Sequence, residues 1–193
     1  MFSLQGAAAI PDYSTRDVYF TPRKGSEMKK AVPGAELAVY SRICELVSKY
    51  GAPRIISHMF SKSPLWIILL QDPQKLNSGH WMGLSIHPGK KEIYFFSTYG
   101  GKPDFEKNKW LKEDDQIMSG QNTNALNDGL KEMAKNGWTI HYNDHPYQFE
   151  GDGSATCGIW TAAFLNSGLN PDQFYLFNLF HNMGAEDYFR AYF

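Results

Sequence analysis

Apolar residues follow a strand-like pattern through the middle of this chain. Residues 65–70 form a continuous apolar run, which predicts a strand buried on both faces. Two further strands are predicted at 81–86 and 92–98, joined by turn residues at 87–90. Apolar residues alternate over 138–142, as in a half-buried strand. The centre of the chain is therefore predicted to form a sheet.

Helical spacing of apolar residues appears on both sides of the strands. It predicts helices at about 35–50, at about 123–135, from 157 onward, at 170–180 and at 185–193. The charged segment 100–121 is read as a loop in which Trp110 and Leu111 are packed against the domain. This mixed order predicts an α+β domain with a central mixed sheet flanked by helices.

The first 33 residues differ in composition from the rest. They are rich in glycine, proline, serine and charge, which predicts an extended N-terminal arm lying on the domain. The basic stretch 16–30 within it is read as a solvated part of this arm. Residues 34–193 are predicted to form a single domain, since their length suits one.

Charge and cysteine content narrow the function classes. The chain has 19 basic and 20 acidic residues, so a dedicated nucleic-acid binder is not supported. Its two cysteines, Cys44 and Cys157, give no disulfide framework and fit a reducing compartment. Cys44 lies on an apolar helix stripe and is expected to pack in the core. We see neither a signal peptide nor an apolar run long enough to span a membrane.

Cys157 follows a loop of small and polar residues and is predicted to start a helix. In a first turn, free N–H groups and the positive end of the helix dipole favour a thiolate. Ser154 or Asp152 is expected to cap this turn, and Gly158 keeps the backbone beside the sulfur uncrowded. The alternative is a small core cysteine without chemistry.

His80 is the histidine that fits a partner role for Cys157. It lies where the 72–79 loop enters a strand, and Gly79 leaves room above its ring. A plain polar residue at a strand end is the alternative. In a four-residue hairpin loop Ile86 would pair with Lys91, which places Ser97 directly opposite His80.

His141 and His145 are spaced by four residues, as in some metal sites. Their surroundings read as a strand running into a loop, where four residues span roughly 13 Å. No metal site is therefore expected there.

Two segments together resemble one enzyme family. Residues 79–82 (Gly-His-Trp-Met) resemble the histidine segment of the adenovirus maturation protease, adenain, and residues 154–158 (Ser-Ala-Thr-Cys-Gly) resemble its nucleophile segment. The wider superfamily, with the SUMO and ubiquitin-like deconjugating proteases, shares this order of motifs. The resemblance covers about residues 65–165 and implies their cysteine-protease fold, with the nucleophile at a helix N-terminus.

The resemblance implies a catalytic pair and its support. Cys157 would be the nucleophile and His80 its partner, forming a thiolate–imidazolium pair. The family carries Asp or Glu in the third position, where this chain has Ser97. Asp104 on the following segment is a possible substitute, and a Cys–His dyad without an acid is also feasible.

Two further roles follow from the resemblance. In ungapped register the oxyanion glutamine of the family falls on Glu150, whose charge would repel an oxyanion. Gln148, two residues earlier, is preferred for that reason. Trp81 would bind substrate by covering the catalytic groove, and ordinary core packing is its other reading.

The resemblance also implies an activity, a class of substrate and a cellular location. It implies a viral maturation endopeptidase that cleaves capsid or core precursor proteins near glycine, in the virion or in the host-cell cytoplasm or nucleus. A deconjugating protease for a ubiquitin-like modifier and an inactive protease-like scaffold are the alternatives. Adenain uses DNA and a disulfide-linked peptide as cofactors. We expect no cofactor here, because the charge is balanced and Cys44 lies well before the peptide-linking position. The oligomeric state stays open.

Overall fold

The structure, a computed structural model, describes residues 25–74, 79–149 and 155–193. Helices and strands are mixed along these residues. In chain order they are α1 (Gly25–Ala31), β1 (Glu36–Val39), α2 (Tyr40–Tyr50), α3 (Ala52–Lys62), β2 (Leu65–Gln71), β3 (Gly79–His87), β4 (Glu92–Ser97), α4 (Phe105–Trp110), α5 (Glu113–Met118), α6 (Ala125–Lys135), β5 (Thr139–Tyr142), α7 (Cys157–Ser167), α8 (Pro171–His181) and α9 (Ala185–Tyr192).

The strands form one five-stranded mixed sheet in the order β1-β2-β3-β4-β5. The outer pairs, β1 with β2 and β4 with β5, are parallel, whereas β3 runs antiparallel to both of its neighbours, β2 and β4. Five consecutive residues of β2 are buried, which confirms the strand predicted to be covered on both faces. The fold is the predicted α+β class.

Helices cover both faces of the sheet and form two cores. Helices α1, α7, α8 and α9 contribute to one core, built on side chains such as Ile67, Tyr94 and Phe96. Helices α2, α3 and α6 form the other core, on Ile68, Leu84 and other residues of alternating position. Cys44 is buried in the second core, as predicted. Among the described residues, none of the helices has the length and apolar character that crossing a membrane requires.

The first predicted helix, at about 35–50, is confirmed over Tyr40–Tyr50 as α2, but the prediction is wrong for the residues before it. Residues Glu36–Val39 are strand β1, because their backbone pairs with the free edge of β2, a long-range partner that local spacing cannot show. Helix α3 was missed as well. Gly51, with φ of 84°, ends α2, and Pro53 lies in the first turn of α3, where proline is tolerated.

Part of the predicted N-terminal arm is helical. Residues Gly25–Ala31 form α1, and Met28 and Val32 are fully buried against the core, so the prediction of an extended conformation is wrong there. Residues 1–24 lie outside the described part of the chain. The predicted loop 100–121 likewise contains two short helices, α4 and α5, which are below the length at which periodicity is readable.

Helix α7 packs directly on β3, and this contact fixes the position of the first turn of α7 relative to the first residues of β3. Nine consecutive α7 residues, Cys157–Leu165, are buried. A side chain at Gly83 would meet Leu165 and Thr161 at 3.3–3.4 Å, so glycine permits this close approach. The Thr161 hydroxyl donates to the carbonyl oxygen of Trp81 at 3.1 Å. The first turn of α7 is thereby held beside the first residues of β3.

Candidate active site

Cys157 is the first residue of α7, as predicted, and is 6% exposed. Its sulfur lies within reach of three backbone N–H groups, those of Trp81, Gly158 and Cys157 itself. Trp81 directly follows His80, so this contact places the sulfur next to the histidine segment. Thr156 occupies the N-cap position without a side-chain cap, and the predicted caps Ser154 and Asp152 lie outside the described residues.

The protonation of Cys157 differs from the expectation of a resting thiolate. Burial raises the pKa of the Cys157 thiol, and the three N–H groups lower this pKa by smaller amounts. Burial also lowers the pKa of His80 to about 3. Both shifts favour the uncharged forms, because a buried charge is costly. Cys157 is therefore held as a neutral thiol and His80 as a neutral imidazole.

This neutral pair predicts how Cys157 reacts with iodoacetamide as pH changes. A raised thiol pKa leaves less thiolate at neutral pH, so the alkylation rate should still rise above pH ~8.5, the ordinary thiol pKa. The measurement is the rate at Cys157 between pH 5 and 10, in a Cys44→Ser background with a single reactive thiol. A plateau reached below pH 7 would contradict the prediction and indicate a preformed ion pair.

His80 is the second residue of β3 and is 7% exposed. Gly79 before it comes so close to β2 that an added Cβ would lie 1.9 Å from the carbonyl oxygen of Leu70. Glycine is thus required by the neighbouring strand, rather than to leave room above the ring. The imidazole packs against Tyr99 and Trp110, with ring centroids 5.0 and 5.6 Å away. These contacts account for its desolvation.

Ser97 meets His80 as predicted, but through a different register. The strands pair Ile86 with Ile93 and Met82 with Ser97, so the predicted pairing of Ile86 with Lys91 is wrong. The loop lies at 88–91 instead of 87–90. Ser97 is therefore diagonal to His80 on the same face, a separation that side chains can bridge. Nε2 of His80 lies 2.9 Å from Oγ of Ser97.

The backbone of Ser97 is held by a side chain that the sequence did not reveal. The Asn143 amide accepts from the Ser97 N–H at 2.9 Å and donates to the Ser97 carbonyl oxygen at 2.6 Å. This buried amide replaces a strand partner at the end of β4. It fixes where the serine hydroxyl lies.

Glu106 is the second residue missed by sequence reasoning. The Ser97 hydroxyl donates a hydrogen bond to Oε1 of Glu106, which lies on α4 and is 1% exposed. Burial raises the pKa of Glu106, and the hydrogen bond from Ser97 lowers it by a smaller amount. No motif marks this residue, because it lies in a six-residue helix inside a charged segment.

Asp104 does not reach the histidine. Its carboxylate accepts a hydrogen bond from the Tyr40 hydroxyl and another, at 2.9 Å, from the backbone N–H of Asn127. It therefore joins α2 and α6 to the start of α4. The suggestion that Asp104 substitutes for a missing acid is wrong, because its carboxylate is already used in this structural contact.

Gln148 lies beside the site and is 3% exposed. The Thr98 hydroxyl donates to its Oε1 at 3.2 Å, and its backbone N–H donates to the Thr98 carbonyl oxygen at 3.1 Å. Because Thr98 follows Ser97, the side chain is held close to the histidine support. Glu150, the competing position, lies outside the described residues. The choice of Gln148 stays a prediction.

Trp81 is 4% exposed and belongs to the same core as Cys157. The structure thus gives it the packing role. Its predicted role in covering the substrate groove stays a prediction.

The described part of the chain contains no group of three or more histidine, cysteine, aspartate or glutamate side chains that could hold a metal. His141 lies in β5, and His145 stacks on Tyr175 with centroids 4.0 Å apart. The two rings therefore have separate neighbours.

No protein-family model matches the sequence, and no curated protein matches it. Among solved structures it is similar to the SUMO protease Ulp1 with its catalytic cysteine oxidised to a sulfonic acid, at 18% identity and TM-score 0.37, over 74% of this chain and 61% of that chain. A Ulp1 protease domain in complex with Smt3, the yeast orthologue of SUMO, gives 16% identity and TM-score 0.38 over 74% and 60%. The central domain of Lpg1148 from Legionella pneumophila gives 19% and 0.38 over 86% and 90%. The chain thus spans about three fifths of the Ulp1 chains it matches.

Proposed function

We propose that this chain is a cysteine endopeptidase in which Cys157 is the nucleophile and His80 the general base. The observation that carries the proposal is the contact between the Cys157 sulfur and the backbone N–H of Trp81, the residue next to His80. It supports the assignment by joining a thiol at a helix N-terminus to the residue that directly follows the buried His80. The order of the His-Trp and Cys-Gly segments supports the same assignment.

The mechanism depends on which ring nitrogen of His80 is hydrogen-bonded to Ser97. Nε2 faces Ser97, so Nδ1 serves as the base. As the sulfur of Cys157 bonds to the carbonyl carbon, its proton moves to Nδ1. His80 then gives this proton to the leaving amine, which leaves a thioester on Cys157. Water, deprotonated by His80, attacks the thioester, and the sulfur recovers the proton as the acid product departs.

An oxyanion site completes the proposal. The backbone N–H of Cys157 and the amide of Gln148 would donate to the developing oxyanion, each donor contributing about 2.7–4 kcal/mol to transition-state stabilisation. Trp81 would limit the space beside the scissile bond, which favours glycine there. Substrates of the capsid or core precursor type rest on the resemblance to adenain alone.

Two substrate sets test this proposal. The protein is incubated with glycine-containing capsid-precursor peptides and with ubiquitin-like modifiers extended beyond their Gly-Gly end. Cleavage is followed by mass spectrometry, together with the acyl adduct on Cys157 in acid-quenched samples. We expect cleavage beside glycine in the first set and an adduct confined to Cys157. Cleavage of the modifiers alone would replace the maturation protease with a deconjugating protease. Absence of both cleavage and adduct would favour a binding scaffold.

A further inference from the structure

Glu106 is a buried carboxylate whose hydrogen bond is directed at the serine that contacts His80. It is 1% exposed, and Oε1 accepts the hydrogen bond from Ser97. Its second oxygen, Oε2, is buried and makes no hydrogen bond among the described residues. A carboxylate buried with so few partners is costly, so the fold places it there against a free-energy penalty.

The three side chains form a hydrogen-bond chain with one possible direction when Glu106 is ionised. A serine hydroxyl has a single hydrogen, and Ser97 donates it to Glu106. The Ser97 oxygen can then only accept from Nε2–H of His80, 2.9 Å away. This fixes the tautomer of His80 with its hydrogen on Nε2. Nδ1 is thereby left with the lone pair that a general base needs.

Contacts at both ends of helix α4 hold Glu106 in its position next to Ser97. Asp104 fixes its start through Tyr40 and Asn127, as described above. The buried Lys107 donates from Nζ to Gln116 on α5, at 2.9 Å. At the end of the helix, Trp110 packs against the His80 ring. Both ends of α4 are thus held while its first turn presents Glu106 to Ser97.

We propose that Glu106 is the positioning and charge-balancing residue of the Cys157–His80 pair, and that it acts through Ser97. The inference rests on the proposed function. In this arrangement Ser97 contacts His80 directly, and the Glu106 carboxylate contacts Ser97 from the other side. Ser97 is then a relay, and the site keeps a negative charge.

The proton and charge balance of the step is simple. When the Cys157 proton moves to Nδ1, His80 becomes a cation with hydrogens on both nitrogens. Ser97 keeps its proton, accepts from Nε2–H and donates to the Glu106 carboxylate. The −1 charge of Glu106 offsets the +1 charge on His80, and no further proton is released. Asp104 and Lys109 are the other charged groups that act on Glu106, with opposite effects on its pKa.

The first test compares three variants at pH 8.5, with parent and variants checked for equal melting temperatures. Glu106→Gln keeps the size of the side chain and removes its charge, whereas Ser97→Ala removes the relay. Each is expected to lower kcat by about 10- to 100-fold with little change in KM. The double variant should lose no more than either single variant, because both act along one chain. Glu113→Gln on the exposed side of α5 is the matched control and should keep parent activity.

The second test moves the carboxylate from position 106 to position 97 by substitution. Ser97→Asp alone places two carboxylates in contact and should be poorly active. Ser97→Asp combined with Glu106→Gln leaves one carboxylate beside His80, and should recover at least 10-fold over Ser97→Asp. A merely structural role of Glu106 predicts no such recovery, so its absence in the folded double variant would overturn the proposal.

Two other results would also overturn the proposal. One is Glu106→Gln activity within twofold of the parent. The other is losses in Ser97→Ala and Glu106→Gln that multiply in the double variant.

If the parent cleaves no peptide, the proposed function fails, and the same variants are compared by the rate of Cys157 alkylation with iodoacetamide at pH 8.5. That rate requires no peptide cleavage, so a failure of the proposed function can be distinguished from a failure of the role of Glu106.

Discussion

Replacing Cys157 with serine is expected to lower kcat/KM for peptide cleavage by about 10⁴- to 10⁶-fold, since the loss of a nucleophile removes the whole covalent route. The serine hydroxyl keeps the position at the start of α7 but is a far weaker acid than a thiol. His80, whose pKa burial lowers to about 3, is a weak base and cannot compensate. The measurement is the cleavage rate of a glycine-containing peptide under single-turnover conditions.

The chain offers a matched control for this variant. Cys44 is also buried, at 2% exposed, but lies in the core on the opposite face of the sheet. Cys44→Ser should therefore change stability while leaving kcat/KM within a few-fold of the parent. His80→Gln added to Cys157→Ser should cause no further loss, because the two residues act as one unit. Cleavage that survives in Cys157→Ser would assign the nucleophile elsewhere.

Truncating Phe164 to alanine is expected to cost about 3–5 kcal/mol of unfolding free energy. Phe164 is 1% exposed on α7 and stacks on Phe96 of β4, with centroids 4.6 Å apart and planes inclined by 11°. It also meets the edge of Phe174 on α8, at 5.6 Å. The cavity would therefore open where α7, α8 and the sheet join. Thermal unfolding should show a fall in Tm of roughly 6–20 °C.

Phe180 on α8 is the control for this loss. Its side chain is 80% exposed, so Phe180→Ala removes the same atoms from a site with little packing. A change below about 0.5 kcal/mol is expected for such a surface position. Equal effects of Phe164→Ala and Phe180→Ala would contradict the assignment of the core to the face covered by α7.

The sequence was sufficient for elements whose signal is local. The apolar run of β2 and the start of α7 at Cys157 both follow from residues adjacent in the chain. The Asn170 cap of α8, with Gln173 three residues later, is another local signal, and the reciprocal hydrogen bonds are present. The histidine and cysteine segments could likewise be selected from their neighbours, since glycine and small residues surround each.

Tertiary structure decided the features that depend on distant partners. Residues Glu36–Val39 became a strand because the edge of β2 was open to them, despite a helical pattern. The observed hairpin register differs by two residues from the predicted one, so Ser97 lies diagonal to His80 instead of directly opposite it. The two side chains still meet because both lie on the same face of the sheet. Glu106 reaches Ser97 because Tyr40 and Asn127 anchor α4. The sequence by itself determined the thiol and the imidazole of the proposed site, since each lies in a short motif of adjacent residues. The buried acid behind them was decided by packing, since no local pattern specifies which carboxylate a fold brings to a distant serine.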